Sequence, residues 1–217
     1  MQAQALTNAR SYATAAIPAS TEAPPPLIGV TRQFGRDQQI FGEGEAADHI
    51  YRVVSGVVRL FRVLADGRRQ IEEFYLPGDV FGVELGARRS ASAEAVGETV
   101  LVVARRSIAA GDPAQAERLW DHALRELARS RDHVLTLGQR SAAERLATFF
   151  LELAERLGSG AEVDLPMTRQ DMADYLGLTI ETVSRTLTHL QSRGVVRLDG
   201  SRRVCFTRPA ALAELSE

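Results

Sequence analysis

Glu181 and Arg185 stand one helical turn apart in the stretch TRQDMADYLGLTIETVSRTL, residues 168–187. On a helix that spacing places a carboxylate and a guanidinium on one face. A carboxylate can accept from a cytosine amino group, and a guanidinium can donate to both O6 and N7 of guanine, so the pair suits the major groove of DNA. Ser184 and Thr188 add hydroxyls to the same side. A solvated helix surface can have this composition too, so the face alone leaves packing and base reading both open.

The elements that must position this pair are legible around it. Thr168 can cap a first helix with Asp171 near its positive end, and Met172, Ala173 and Leu176 form its inner side. Gly177 supplies the turn and Thr179 can cap a second helix. At about 100° per residue, Val183, Leu187 and Leu190 cluster on a core face with Ile180 at its edge, away from Glu181 and Arg185. The following GVVRLDGSRRVCFT reads as two strands around Asp199-Gly200, a hairpin whose Arg197, Arg202 and Arg203 can reach phosphates. Arg169, near a helix N-terminus, can do likewise. From Leu165 to Arg208 seven arginines face four acids, a local +3, although the whole chain carries −2 and the remainder therefore −5.

The rest of the 217-residue chain is long enough for two domains, each expected to have its own core. From Leu27 to about Ile108, short apolar runs alternate with glycine turns, and Asp66-Gly67 separates two alternating segments. This predicts a small β-barrel or roll with a hairpin there. After Gly111 the period changes: Asp112 suits a helix cap and Pro113 a first turn. Trp120, Leu124, Leu127, Val134 and Gly138 then follow a four-three spacing interrupted by Arg131. A helix of roughly 25 to 28 residues follows from this, with the same helix of a second subunit as its expected partner. The plainer alternative is one stripe lying on its own roll. A further helix over 142–158 ends at Gly158.

Residues 1–27 are rich in Ala, Ser and Thr, carry one acid, Glu22, and end near APPP, which predicts a disordered arm; a transit peptide shares that composition. No apolar run approaches the ~20 residues of a membrane helix, and no secretory core is seen. The single cysteine, Cys205, can form neither an internal disulfide nor a Cys-based metal cluster, so a reducing cytoplasm is expected. All 26 basic residues are arginine. No P-loop, nucleophile elbow or metal-spaced His/Cys/Asp set is present, which argues against an enzyme. A nucleotide-binding module that controls a partner protein is the remaining rival, and it would leave the wing arginines and the Glu181/Arg185 pair idle.

From about Leu27 onward the chain resembles the cyclic-AMP receptor/FNR regulators. That resemblance implies an α+β fold: an N-terminal cyclic-nucleotide-binding-like β-roll, a long dimerisation helix and a C-terminal winged helix-turn-helix. Its strongest part is TRQDMADYLGLTIETVSRTLTHLQSRGVV, supported by SGVVRL, PGDVFG and RSA in the roll. The implied division is an arm at 1–27, a roll at 28–110, a dimerisation helix at 111–140 and a DNA-binding domain at 141–217. Where the cyclic-AMP receptor has Arg and Gly, this chain has Ile180 and Ser184. Glu181, Thr182, Val183, Ser184 and Arg185 instead resemble the FNR and FixK branches, which implies an inverted repeat of TTGAT-type half-sites. By resemblance Glu181, Ser184 and Arg185 contact bases, while Arg169, Ile180, Thr182, Thr188, Arg202 and Arg203 contact phosphates or flanks. Trp120, Leu124, Leu127, Arg131, Val134 and Gly138 would form the dimer seam. Double-stranded palindromic DNA, RNA polymerase and a second copy of the chain are the implied partners.

Glu84, Arg89 and Ser90, within FGVELGARRSA, match residues that hold the phosphate and ribose in cyclic-nucleotide binders. Val83 replaces the preceding glycine, the loop to Arg89 is short, and Ser130 and Arg131 stand where the adenine contacts would be. The expectation is therefore a degenerate pocket in which Glu84 and Arg89 form a remnant structural pair. One cysteine cannot hold the iron–sulfur cluster of FNR. The resemblance is nearest to FixK-type members, so no cofactor is expected and control in oxygen-limited conditions is implied. Cyclic-nucleotide, haem or redox sensing through Cys205 or a lone histidine (His49, His122, His133 or His189) is the alternative.

Overall fold

In the computed structural model, which describes residues 27–216 except Asp112 and Ser201, the glycine-punctuated first half folds into strands. They are β1 (Val30–Phe34), β2 (Gln39–Phe41), β3 (His49–Ser55), β4 (Val58–Val63), β5 (Arg69–Tyr75), β6 (Val80–Phe81), β7 (Ser92–Ala95) and β8 (Thr99–Arg105). Antiparallel pairing builds two four-stranded sheets, ordered β1-β8-β3-β6 and β2-β7-β4-β5. The expected hairpin joins β4 to β5, closing at Val63 opposite Arg69, with Gly67 at φ +83 where a side chain would be strained. The expected arm lies outside the described residues up to Pro26. Leu27, its last residue, is buried beside Ile50, Val80 and Val102.

Helices α1 (Arg106–Gly111), α2 (Pro113–Gln139) and α3 (Ala142–Arg156) follow. The C-terminal part adds β9 (Glu162–Asp164), α4 (Arg169–Leu176), α5 (Ile180–Ser192), β10 (Val196–Asp199), β11 (Arg203–Phe206) and α6 (Pro209–Glu214), with the sheet ordered β10-β11-β9. This is the expected α+β arrangement of roll, long helix and winged helix-turn-helix. Asp112, the expected cap of α2, lies outside the described residues. Ser141 caps α3 in a capping box with Glu144, and Gly158 at φ +62 closes it. Among the described residues no helix is long and apolar enough to cross a membrane.

The 27 residues of α2 span about 40 Å and carry two stripes. Toward the roll lie Leu119, His122, Glu126 and Arg129, and in line with them His133 faces α4. Leu119 packs on the Leu27–Ile50 cluster, the Tyr75 hydroxyl donates to Glu126, and Arg129 pairs with Glu73 at 3.4 Å. His133 stacks on Tyr175 with ring centroids 4.0 Å apart. The second stripe repeats the same four-three spacing five residues later, about 140° around the helix. Its Trp120, Leu124, Leu127 and Val134 are 65%, 47%, 46% and 64% exposed. The apolar stripe therefore does not lie on its own roll, and a largely polar one does.

Two domains with separate cores were expected, and here the structure differs. The roll has its own interior around Tyr51, Val53, Tyr75, Phe81 and Leu101. The largest buried cluster, however, joins Phe61, Ile71 and Phe74 of the β4–β5 hairpin to Leu146, Phe150, Met172, Tyr175 and Leu187. The hairpin's second apolar face is covered by the C-terminal helices, which seats the helix-turn-helix on the roll. A strand pattern predicts that such a face is buried but not what buries it.

Candidate nucleic-acid interface

Local chemistry builds the helix-turn-helix from its ends inward. Thr168 and Asp171 form a capping box on α4: the Asp171 amide donates to Thr168 Oγ1 at 3.1 Å, and the Thr168 amide donates to Asp171 Oδ2 at 3.0 Å. Gly177 ends α4 in the left-handed region at φ +62, turning the chain so that Thr179 Oγ1 caps α5 through the Thr182 amide at 3.2 Å. Val183, Leu187 and Leu190 are buried and lock α5 by one face.

That anchoring leaves the opposite face outward. Glu181, Arg185 and Thr188 are exposed, Thr182 and Ser184 are half-buried, and Ile180 sits at the rim at 37% exposure. The Thr188 hydroxyl donates to the Ser184 carbonyl. Glu181's own backbone N–H and then the Thr179 hydroxyl hold its carboxyl below the usual range, so it is ionised and acceptor-only at neutral pH. Among the described residues the hydrogen bond of Arg185 is a long one, 3.4 Å to Thr182 Oγ1, which leaves its fork available. An acceptor and a two-pronged donor thus point out of one exposed helix, the pattern a major groove edge complements.

Around α5 the basic residues divide. Arg169 is half-buried in the first turn of α4, and Arg202 is exposed in the β10–β11 loop. Arg203 is exposed but tied to Asp164 across the β11–β9 pair at 2.8 Å, so of the three wing arginines expected to reach phosphates Arg202 is freer than Arg203. Arg197 lies 3.4 Å from the sulfur of Cys205, which is buried in β11. Sequence reasoning counted Arg208 only as a charge. Its guanidinium donates to the Arg193 and Gly194 carbonyls, and Thr207 donates to Gly194 as well, so the wing is stitched to the end of α5.

In the roll, the expected Glu84–Arg89 pair is not formed. Arg89 is buried and donates to the Gly82 and His49 carbonyls at 2.7 and 2.6 Å, its guanidinium carbon 4.1 Å above the Phe41 ring. Glu84 instead accepts from the backbone and hydroxyl of Ser90 at 3.1 and 3.2 Å. Two main-chain carbonyls and an aromatic face inside the roll hold the terminal nitrogens of Arg89 without a carboxylate, while its buried Nε finds no hydrogen-bond partner among the described residues. Gly82, at φ +81, makes this possible, because a Cβ there would come within 2.9 Å of the Arg89 guanidinium.

Residues 31–109 match the cyclic nucleotide-binding domain model and residues 144–215 the Crp-like helix-turn-helix domain model. The nitrogen fixation regulation protein FixK of Azorhizobium caulinodans is 49% identical over 197 residues, covering 87% of this chain and 79% of that protein. The chain belongs to the CRP/FNR family, in its FixK branch. The FixK of Rhizobium meliloti is 43% identical, with 88% of each chain covered. Among solved structures, FixK2 from Bradyrhizobium japonicum superposes with a TM-score of 0.83 at 42% identity, over 88% of this chain and 98% of that one. These relatives are regulators, and the helix-turn-helix of this CRP/FNR member binds DNA. The family's roll is thus retained with an arginine turned into its interior.

Proposed function

We propose that the protein is a FixK-type transcription factor that binds an inverted TTGAT-type repeat as a homodimer, without a cyclic nucleotide or iron–sulfur cofactor, in gene control under oxygen limitation. Glu181, Ser184 and Arg185 read bases, with Arg185 on the guanine. Arg169, Ile180, Thr182, Thr188, Arg202 and Arg203 hold the flanks and phosphates. The α2 stripe from Trp120 to Gly138 is the seam between subunits, and the bound dimer engages RNA polymerase. The observation that carries this reading is the outward pair on α5: an ionised Glu181 and, one turn on, an Arg185 whose fork is free.

Independence from an effector is supported by the inward position of Arg89, which takes the Gly82 and His49 carbonyls for itself. Sequences selected by the purified full-length protein from random duplex DNA, with and without cyclic AMP, test the proposal. An inverted TTGAT-type repeat recovered equally in both arms is expected. A strict need for cyclic AMP overturns effector independence, and recovery of single unpaired half-sites overturns the dimer. The salt dependence of affinity counts the phosphate contacts.

A further inference from the structure

The roll and the helix-turn-helix meet through a carboxylate–guanidinium cluster that DNA reading has not so far used. Arg69, on β5, sends Nε to Asp174 at 2.9 Å and a terminal nitrogen to Asp171 at 2.6 Å, so its fork spans two carboxylates one turn apart on α4. Arg59, on β4, is 8% exposed at its side chain and reaches Asp37 at 2.9 Å, Glu94 at 2.6 Å and Asp171 at 3.3 Å. Asp37 takes φ +57, the one non-glycine with positive φ among the described residues, in the turn that brings its carboxylate to Arg59. Asp171, 1% exposed, is at once the capping residue of α4 and the acceptor for both arginines. A second attachment lies at the other end of α4, where Arg145 donates to the carbonyls of Leu176, Arg140 and Leu137 and so ties α4 to the junction between α2 and α3.

Apolar contact between Phe74, Phe149 and Tyr175 would hold these parts together in many orientations, because hydrophobic burial is non-directional. A guanidinium fork across two carboxylates tolerates one geometry, and slipping it strands a buried charge. We infer that Arg59 and Arg69, acting through Asp171 and Asp174, are positioning residues for DNA recognition: they fix the angle at which the roll presents α5 and thereby set the spacing between half-sites that the dimer accepts. This rests on the dimeric reading proposed above. One base pair of spacing moves a half-site about 3.4 Å along and about 34° around the duplex, and following it requires each helix-turn-helix to turn against its cluster.

Binding of full-length protein to duplexes whose half-sites are held constant while the spacer changes by one base pair in either direction tests this. For the unmodified chain a loss of about tenfold or more per base pair is expected. Arg69→Met keeps the apolar stem and leaves Asp171 with Arg59; Asp174→Asn keeps the shape and removes one charge. Both should reduce the spacing penalty to about threefold or less while preference at the guanine of each half-site stays that of the unmodified chain and the melting temperature, though lowered, stays above the assay temperature. Arg69→Lys, with a single cationic donor in place of the fork, should fall between. Variants that keep the full spacing penalty overturn the inference and leave the dimer reading intact. Variants that lose binding at every spacing and base alike overturn it as well, since the cluster would then be structural only. If the unmodified chain shows no preference among spacings, the dimer reading fails too.

Discussion

Replacing Arg185 by alanine is the sharpest perturbation of the interface. Its side chain is exposed, and its hydrogen-bond contact among the described residues, to Thr182 Oγ1 at 3.4 Å, lies beyond ordinary hydrogen-bond length, so little of the fold should depend on it. On the proposed assignment the loss on binding is that of a base contact, about 1–3 kcal/mol for a bidentate pair. Two subunits on an inverted repeat double this to about 2–6 kcal/mol, or roughly 30-fold to 10⁴-fold in Kd. Fluorescence anisotropy with duplexes carrying each of the four base pairs at the guanine position of both half-sites measures the effect. The unmodified chain should rank G·C first, and Arg185→Ala should bind all four alike at the level of the poorest. Retained preference for G·C refutes the assignment. An equal loss on every duplex, non-specific DNA included, refutes it differently by making Arg185 a phosphate contact. Arg169→Ala is the internal control, with uniform weakening and a shallower salt slope expected.

Leu127→Arg, in the middle of the uncovered stripe of α2, should yield monomers in sedimentation at concentrations where the unmodified chain is dimeric, and a variant that stays dimeric excludes this seam. Asp171→Ala removes the cap acceptor and one carboxylate from each of two guanidiniums that keep Asp37, Glu94 and Asp174, so denaturant unfolding should register a loss of about 1–3 kcal/mol. Burial, chiefly, holds the His133 imidazole below its usual pKa of 6.5. The unfolded chain therefore binds its proton more readily, and the stability present above pH 6.5 is lost as pH falls through that value. His133→Phe keeps the stack on Tyr175 and should reduce the fall in denaturation midpoint between pH 7 and pH 5; an unchanged slope removes His133 from the cause.

What the sequence disclosed was whatever repeats locally. The hairpins at Asp66-Gly67 and Asp199-Gly200 carry their turn chemistry within a few residues, and the two faces of α5 follow from helical period alone. The outer stripe of α2 was legible for the same reason. Its inner stripe was not, because His122, Glu126, Arg129 and His133 are polar and become core-facing only when Tyr75, Glu73 and Tyr175 supply partners. Asp171 looked like an ordinary first-turn acid, yet its arginine partners lie 102 and 112 positions away, and no window of sequence holds both. Arg89 was misassigned to Glu84 because charge suggested a pair, whereas its acceptors are main-chain carbonyls, identical for every residue type and invisible in a string of letters.

Arg89 in its seat amounts to a ligand on a tether. A diffusing effector leaves when its concentration drops, but a guanidinium attached to the chain is present at every dilution, and its local concentration never falls. Any small molecule seeking the same carbonyls competes with that permanent occupant and begins at a disadvantage set by two charge-assisted hydrogen bonds. On the effector-free reading proposed above, a roll plugged in this way has no dose–response curve of its own to offer. Under that proposal, occupancy of the operator would follow the number of copies in the cell, and the response would be no faster than their synthesis, dilution and removal.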